Sequence, residues 1–312
     1  MCAAYSCRAP GSPIEKGGRR MTLTRRRFIS ISAASLVAAP AFAQRWQGRA
    51  LGAEVEITIR GPKDIAVPAL KAARDLLTRV EAQFNLFDDN SRISKLNRSG
   101  RLVRPDAMFT SLMQLSGAIH TATCGLFDPT VQPLWRALAE GGDIAKARAL
   151  IGWERVQHDR DLIKLDAHQA LTFNGIAQGF ATDRIAELLG AAGLADTLVN
   201  IGEFRATGGP WTLGLSDPVL GHLGTRTLRS GAIATSSPMA VPLMGQGHIL
   251  HGSVRPRWST VSVEARDATT ADGFSTALTL APLSLIRAVV GQFGIRAITL
   301  VDQQGQLMTI KA

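Results

Sequence analysis

Apolar and polar residues alternate along positions 51–60, with Val55, Ile57 and Ile59 set against Glu54, Glu56 and Thr58, and this period of two predicts a half-buried strand. The period then lengthens. Over residues 65–84, Leu70, Ala73, Leu76, Leu77, Val80 and Phe84 recur at helical spacing, and a polar loop at 88–91 introduces Ile93 and Leu96. A second helix is expected over 108–123, with Leu112, Leu115, Ala118 and Ile119 inward. Residues 125–131 read as a loop, because Pro129 forces Asp128 away from helical geometry. The weakly patterned stretch 136–166 reads as superficial, with a short helix at 145–150 and a strand at 163–165.

A strand-like run at 170–173 enters Asn174-Gly175-Ile176-Ala177-Gln178-Gly179-Phe180-Ala181-Thr182-Asp183-Arg184. Here two glycines bracket a turn into a helix that carries Ile185, Leu188, Leu189 and Ala192 on one side and stops at Gly193. Strands are expected at 197–202, 211–215, 231–236 and 260–264. Helices follow at 271–280, ended by Pro282, and at 285–294; a hairpin pairing 297–302 with 307–311 closes the chain. Strands and helices mix without strict βαβ alternation, which predicts the α+β class. No internal repeat or low-complexity linker divides the chain.

The chain has 312 residues, 46% hydrophobic and 19% charged, an ordinary globular balance. Its first 43 residues differ from the rest. Thr24-Arg25-Arg26-Arg27-Phe28-Ile29 precedes an apolar run too short to span a membrane, and Ala41-Phe42-Ala43 fits a cleavage site. Residues 1–43 thus read as a twin-arginine export signal with an extension ahead of Met21, and residues 44–312 as a soluble periplasmic domain. The formal charge of +10 falls to +4 (28 minus 24) without the signal, and no basic run is interleaved with aromatics, so nucleic-acid binding is disfavoured. Cys2 and Cys7 precede the signal, which leaves Cys124 alone and excludes an internal disulfide in the mature chain.

Two segments could carry chemistry. Glycines 175 and 179 would let the backbone approach a phosphate at a helix N-terminus, although such a turn is also common architecture. In Thr270-Ala271-Asp272-Gly273-Phe274-Ser275-Thr276-Ala277, Asp272 and Thr276 share one helix face with Ser275 beside them. Hard oxygen donors of this kind suit Mg²⁺, whereas Thr270 or Asp272 could instead cap the helix.

Residues 174–184, 125–131, 198–203, Ala234-Thr235-Ser236 and 271–277 occur in the order seen in ApbE-like FAD:protein FMN transferases, which the whole mature chain resembles. The resemblance implies an α+β, T-fold-like architecture with FAD held in a cleft. It also implies Mg²⁺-dependent transfer of FMN from FAD to a Thr or Ser hydroxyl of an exported or membrane protein, through a phosphoester bond. The metal positions fall on Gly175, by its carbonyl, and on Asp272, Ser275 and Thr276. Flavin positions fall on Leu51, Phe87, Leu126, Phe127, Asp128, Thr172, Gln178 and Leu250. Phe87 suits ring stacking or a core site beside Leu86. His248 matches the family's histidine and is the candidate general base, a role Asp272 could share.

The chain departs from the family pattern at Thr172, Gln178, Ser237 and His251-Gly252. Its Asn-Gly-Ile-Ala-Gln-Gly-Phe turn resembles NosX-like members. The acceptor motif implied for a partner, such as a membrane electron-transfer subunit, is Asp-Gly-Xaa-Ser/Thr-Xaa-Ala-Thr. Residues 272–278 resemble it but end in Leu278, so self-modification is not expected. FAD pyrophosphate hydrolysis and non-catalytic flavin binding are the alternatives.

Overall fold

The computed structural model describes residues 43–312; the export signal assigned to 1–43 lies, apart from Ala43, outside the described residues. Strand β1 (Ala43–Ala50) pairs antiparallel with β2 (Ala53–Arg60). Leu51 and Gly52 form the turn rather than a strand start: both have positive φ, 50° and 78°, as a tight two-residue hairpin requires. Helix α1 (Lys63–Phe84) buries Ala66, Ala69, Ala73, Leu76, Leu77, Val80 and Phe84. Helix α2 (Arg92–Ser99) is capped by Ser91, whose hydroxyl accepts from the Ser94 N–H. Strand β3 (Arg101–Val103) and helix α3 (Ala107–Ala122) follow. The stretch expected to be superficial is only partly so, since Trp153, Val156, Ile163 and Leu165 join the main core; around it lie α4 (Gln132–Glu140), α5 (Ile144–Ala149), β4 (Gln157–His158) and β5 (Leu162–Lys164), with β3, β5 and β4 forming a small sheet.

Residues 170–173 are not a strand. The Asn97 side chain takes the place of a partner strand, accepting from the Leu171 N–H at 2.8 Å and donating to the Leu171 carbonyl at 2.9 Å. Helix α6 (Ala177–Ala191), β6 (Thr197–Ile201) and β7 (Phe204–Thr207) come next, then the hairpin of β8 (Trp211–Asp217) and β9 (Gly221–Leu228). The chain continues through β10 (Gly231–Ser236), the short hairpin β11 (Pro242–Leu243) and β12 (Gln246–Gly247), and β13 (Thr260–Ala265). Helices α7 (Ala268–Leu278) and α8 (Leu283–Val289) precede the closing hairpin of β14 (Ile295–Val301) and β15 (Leu307–Lys311). Helix α8 ends earlier than the sequence pattern suggested, because Val290 is extended and Gly291, Phe293 and Gly294 have positive φ.

The main sheet has eight strands in the order β1-β2-β6-β7-β10-β13-β14-β15, antiparallel throughout. Alternation along its strands supplies two cores. Val199, Ile201, Ala232 and Ala234 join the large core under α1, α6 and α7, while Leu198 and Ile233 point to the opposite face and pack with Trp211, Leu213 and Leu215 of the β8–β9 hairpin. Phe84, Phe109, Phe173 and Phe180 meet with ring centroids 5.3–5.9 Å apart. Each such pair adds about 0.5–1.5 kcal/mol beyond area burial, and the cluster fixes α1, α3, α6 and the 170–173 segment as one unit behind the cleft. The architecture is α+β, as the mixed order of elements implied.

Candidate active site

The cleft floor is built where α6 crosses α7. A Cβ at Gly179 would lie 2.3 Å from the Ala268 carbonyl oxygen and 2.7 Å from Asp272 Cβ, so only glycine permits this approach. The closeness lets the Gly179 N–H donate to Asp272 Oδ2 at 2.9 Å. Asp267, not Thr270 or Asp272, caps α7, accepting from the Thr270 N–H. Asp183 on α6 completes that end: its carboxylate accepts from the Ala268 and Thr269 N–H groups, each at 2.8 Å, and from the Thr269 hydroxyl at 2.6 Å. Asp272 is therefore freed from capping. It is 3% exposed, and burial pushes its carboxyl up to about 7, the Gly179 N–H opposing and the Asp183 charge adding to the rise.

Around Asp272 stands a cluster of oxygens. The Thr276 hydroxyl donates to the Gly175 carbonyl at 3.3 Å, and a Cβ at Gly175 would press on Thr276 at 2.9 Å. Ser275 is fully buried beneath, bonded to the Ser236 hydroxyl at 2.8 Å and donating to the Asp272 carbonyl at 3.0 Å. Ser236 also reaches the Thr276 hydroxyl at 3.3 Å. Gly175, Asp272 and Thr276 thus face the cleft, whereas Ser275 supports them from behind. Among the described residues, no three His, Cys, Asp or Glu side chains converge to hold a metal.

Glu203, which sequence reasoning passed over, also lines the cleft and is buried. Its Oε2 accepts from the Thr235 N–H at 3.0 Å, and burial followed by the nearby Asp272 holds its carboxyl well above the usual range. The available signal was Gly202-Glu203 at the end of an apolar strand: an acidic residue placed where the chain must turn back into the sheet.

The cleft has a volume of about 240 Å³. The β1–β2 turn contributes Leu51, whose carbonyl accepts from the Gln178 amide at 3.2 Å, and Gln178 itself lines the space. Phe87 stands at the rim, 59% exposed, so it is not a core residue beside Leu86. Leu126, Phe127, Asp128 and Thr172 form a second wall, with Phe127 almost wholly buried. The Asp128 carboxylate is engaged in shaping that wall, accepting from the Thr130 N–H at 2.8 Å, the Thr130 hydroxyl at 2.6 Å and the Trp153 N–H at 3.3 Å. Leu250 and His248 line the remaining side. His248 Nδ1 lies 2.9 Å from the Pro238 carbonyl, which can only accept, so Nδ1 carries the hydrogen and Nε2 the lone pair. Burial lowers the pKa of this imidazole and keeps it neutral.

The ApbE family model matches residues 51–299, which contain every part of this cleft. The chain belongs to the ApbE family. A relative, the FAD:protein FMN transferase of Haemophilus influenzae, is 24% identical over 242 residues, covering 65% of this chain and 69% of the relative. Among solved structures, the ApbE protein of Thermotoga maritima superposes with a TM-score of 0.76 at 25% identity, over 85% of this chain and 96% of that one. The flavin transferase ApbE of Vibrio cholerae gives 0.75 at 19% identity, over 88% and 98%. The fold is therefore shared along nearly the full length of these ApbE structures.

Proposed function

We propose that this protein transfers FMN from FAD to a Thr or Ser hydroxyl of an exported acceptor protein, forming a phosphoester and releasing AMP, with Mg²⁺ as cofactor. The observation that carries the proposal is the convergence of Asp272, Gly175 and Thr276 on the floor of the cleft whose walls hold all eight flavin positions implied by the family resemblance. The sequence similarity to an FAD:protein FMN transferase supports the same reaction.

The donor set suits Mg²⁺. One carboxylate, one backbone carbonyl and one hydroxyl are hard oxygens, and Mg²⁺ commonly takes one or two protein carboxylates while keeping waters and phosphate oxygens. Two buried carboxyl groups with raised pKa values, Asp272 and Glu203, mark a place where a cation would relieve electrostatic strain. Asp272, Gly175 and Thr276 would hold the ion, which when bound neutralises charge on the pyrophosphate. Ser275 and Ser236 keep the Thr276 hydroxyl in place.

The remaining work falls to the protein's own groups. The acceptor hydroxyl attacks the phosphorus on the FMN side of the pyrophosphate, the new P–O bond forms as the bond to AMP breaks, and Nε2 of neutral His248 takes the hydroxyl proton. Phe87 at the rim offers a ring face to the flavin or adenine. The twin-arginine segment supports a periplasmic location.

Metal-stripped protein supplied with FAD and acceptor should consume FAD only when Mg²⁺ is restored, and Asp272→Ala should not respond to Mg²⁺. Wild-type turnover in that variant would refute the metal assignment.

A further inference from the structure

Glu203 lines the cleft beside Asp272, yet in the reaction above it neither holds the cation nor takes a proton. Along β7, Phe204 and Ala206 join the core under the β8–β9 hairpin, and Arg205 turns the other way to meet Asp183 of α6 at 3.3 Å. Alternation therefore sends the Glu203 side chain to the helix side of the sheet, where α6 crosses α7. The first turns of α6 touch both carboxyl-bearing segments. The Gly179 N–H donates to Asp272 at 2.9 Å, and the Thr182 hydroxyl donates to the Glu203 carbonyl at 3.3 Å. Gln178 packs so closely on Gly202 that a Cβ there would lie 2.6 Å from its Oε1.

The two oxygens of this carboxylate have unequal surroundings. The ladder between β7 and β10 ends at the pair of Phe204 with Ile233, and Oε2 accepts the Thr235 N–H beyond it at 3.0 Å. That bond holds the end of β10, whose next residue, Ser236, meets the Ser275 hydroxyl at 2.8 Å and the Thr276 hydroxyl at 3.3 Å. Oε1 differs: among the described residues no group donates to it, although Glu203 is only 7% exposed and borders the cleft. A buried carboxylate oxygen is stable when it accepts a hydrogen, so the donor must enter with what the cleft binds.

We propose that Glu203 is a positioning residue for the cation: Oε2 keeps β10, and through Ser236 the Thr276 hydroxyl, in place, while Oε1 accepts from a water carried by Mg²⁺ at Asp272, Gly175 and Thr276. The inference rests on the Mg²⁺ reading of that site. A Mg²⁺ ion with few protein ligands keeps several waters, and groups that accept from those waters orient them and raise affinity without touching the metal. The negative charge of the carboxylate strengthens such a bond.

Glu203→Gln separates the two oxygens. Its amide oxygen accepts the Thr235 N–H as Oε2 does, which leaves the amide NH₂, a donor, in the place of Oε1. Metal-free Glu203→Gln should therefore melt no lower than wild type, whereas Glu203→Leu, which loses both oxygens, should melt lower. The Mg²⁺ affinity of FAD-free protein, read from the rise in Tm with MgCl₂ and by isothermal titration calorimetry, should fall roughly 10- to 100-fold in Glu203→Gln. Wild-type Mg²⁺ affinity in Glu203→Gln would overturn the proposal, and if FAD binding alone weakened, Oε1 would belong to the substrate instead. A metal-free melt of Glu203→Gln as low as that of Glu203→Leu would also overturn it. If wild type and Glu203→Gln responded alike to Mg²⁺ and Asp272→Ala did not, the metal reading would stand and the role of Glu203 alone would fall. A wild type indifferent to Mg²⁺ would remove both.

Discussion

Gly179→Ala tests the helix crossing on which the cleft floor depends. The added methyl would sit 2.3 Å from the Ala268 oxygen, 2.7 Å from the Ala268 carbonyl carbon and 2.7 Å from Asp272 Cβ. None of these atoms lies at the end of a flexible chain, so α6 and α7 must move apart. Overpacking of this kind costs about 1–3 kcal/mol, and separation also weakens the hydrogen bond from Gly179 to Asp272, worth about 1.5–3 kcal/mol where the acceptor is charged. The better helix propensity of alanine returns about 1 kcal/mol. The net loss is about 1.5–5 kcal/mol, a fall in Tm of roughly 3–20 °C for a domain of this size. Differential scanning calorimetry measures it directly. Gly190→Ala is the internal control: it lies on the same helix with no atom within 4 Å of the added Cβ, and should raise Tm by a degree or more. A Gly179→Ala Tm within a degree of wild type would refute the close crossing.

Three further outcomes follow from the same geometry. Because the Asp272 carboxyl is raised from its ordinary value to about 7, its contribution to the stability of metal-free protein is favourable below the ordinary carboxylate range and is lost as the pH rises toward and through 7. Thermal melts from pH 5 to 8 should therefore show a decline in Tm that becomes shallower in Asp272→Asn, the buried Glu203 carboxyl keeping the remainder. Phe87→Ala should change stability by less than about 0.5 kcal/mol, since the ring is exposed, while the KM for FAD in the transfer assay rises roughly three- to tenfold through lost stacking. Asn97→Leu should cost about 2–4 kcal/mol in urea unfolding, since it leaves the Leu171 N–H and carbonyl without their partner.

What the sequence disclosed followed the range of the interactions involved. Helices α1, α3 and α6 were legible because their apolar residues repeat at 3.6, with Asp106 capping the start of α3 and Gly193 following the end of α6. Strand β1 was not: Arg45, Gln47 and Arg49 alternate with Trp46 and Gly48, and only pairing with β2 makes the segment a strand. The run at 170–173 has strand composition, yet a single amide 74 residues earlier satisfies its backbone. The start of α7 was misplaced because Asp183, 85 residues away, shares in capping it. Asp272 and Thr276 could be paired from helix spacing alone, but their meeting with Gly175 spans 101 residues. The bond of Glu203 to the Thr235 N–H spans 32 residues and that of Ser236 to Ser275 spans 39, so only the folded chain exposes these partners.

The central claim is transfer rather than hydrolysis or simple binding, and one reaction mixture separates the three. Purified protein is incubated with FAD, Mg²⁺ and a protein carrying the Asp-Gly-Xaa-Ser/Thr-Xaa-Ala-Thr motif; the acceptor is then denatured, and covalent flavin and AMP are quantified. Covalent flavin on the acceptor equimolar with AMP is expected, and neither product with Asp272→Ala. Free FMN with no modified acceptor, or FAD recovered intact, would contradict it.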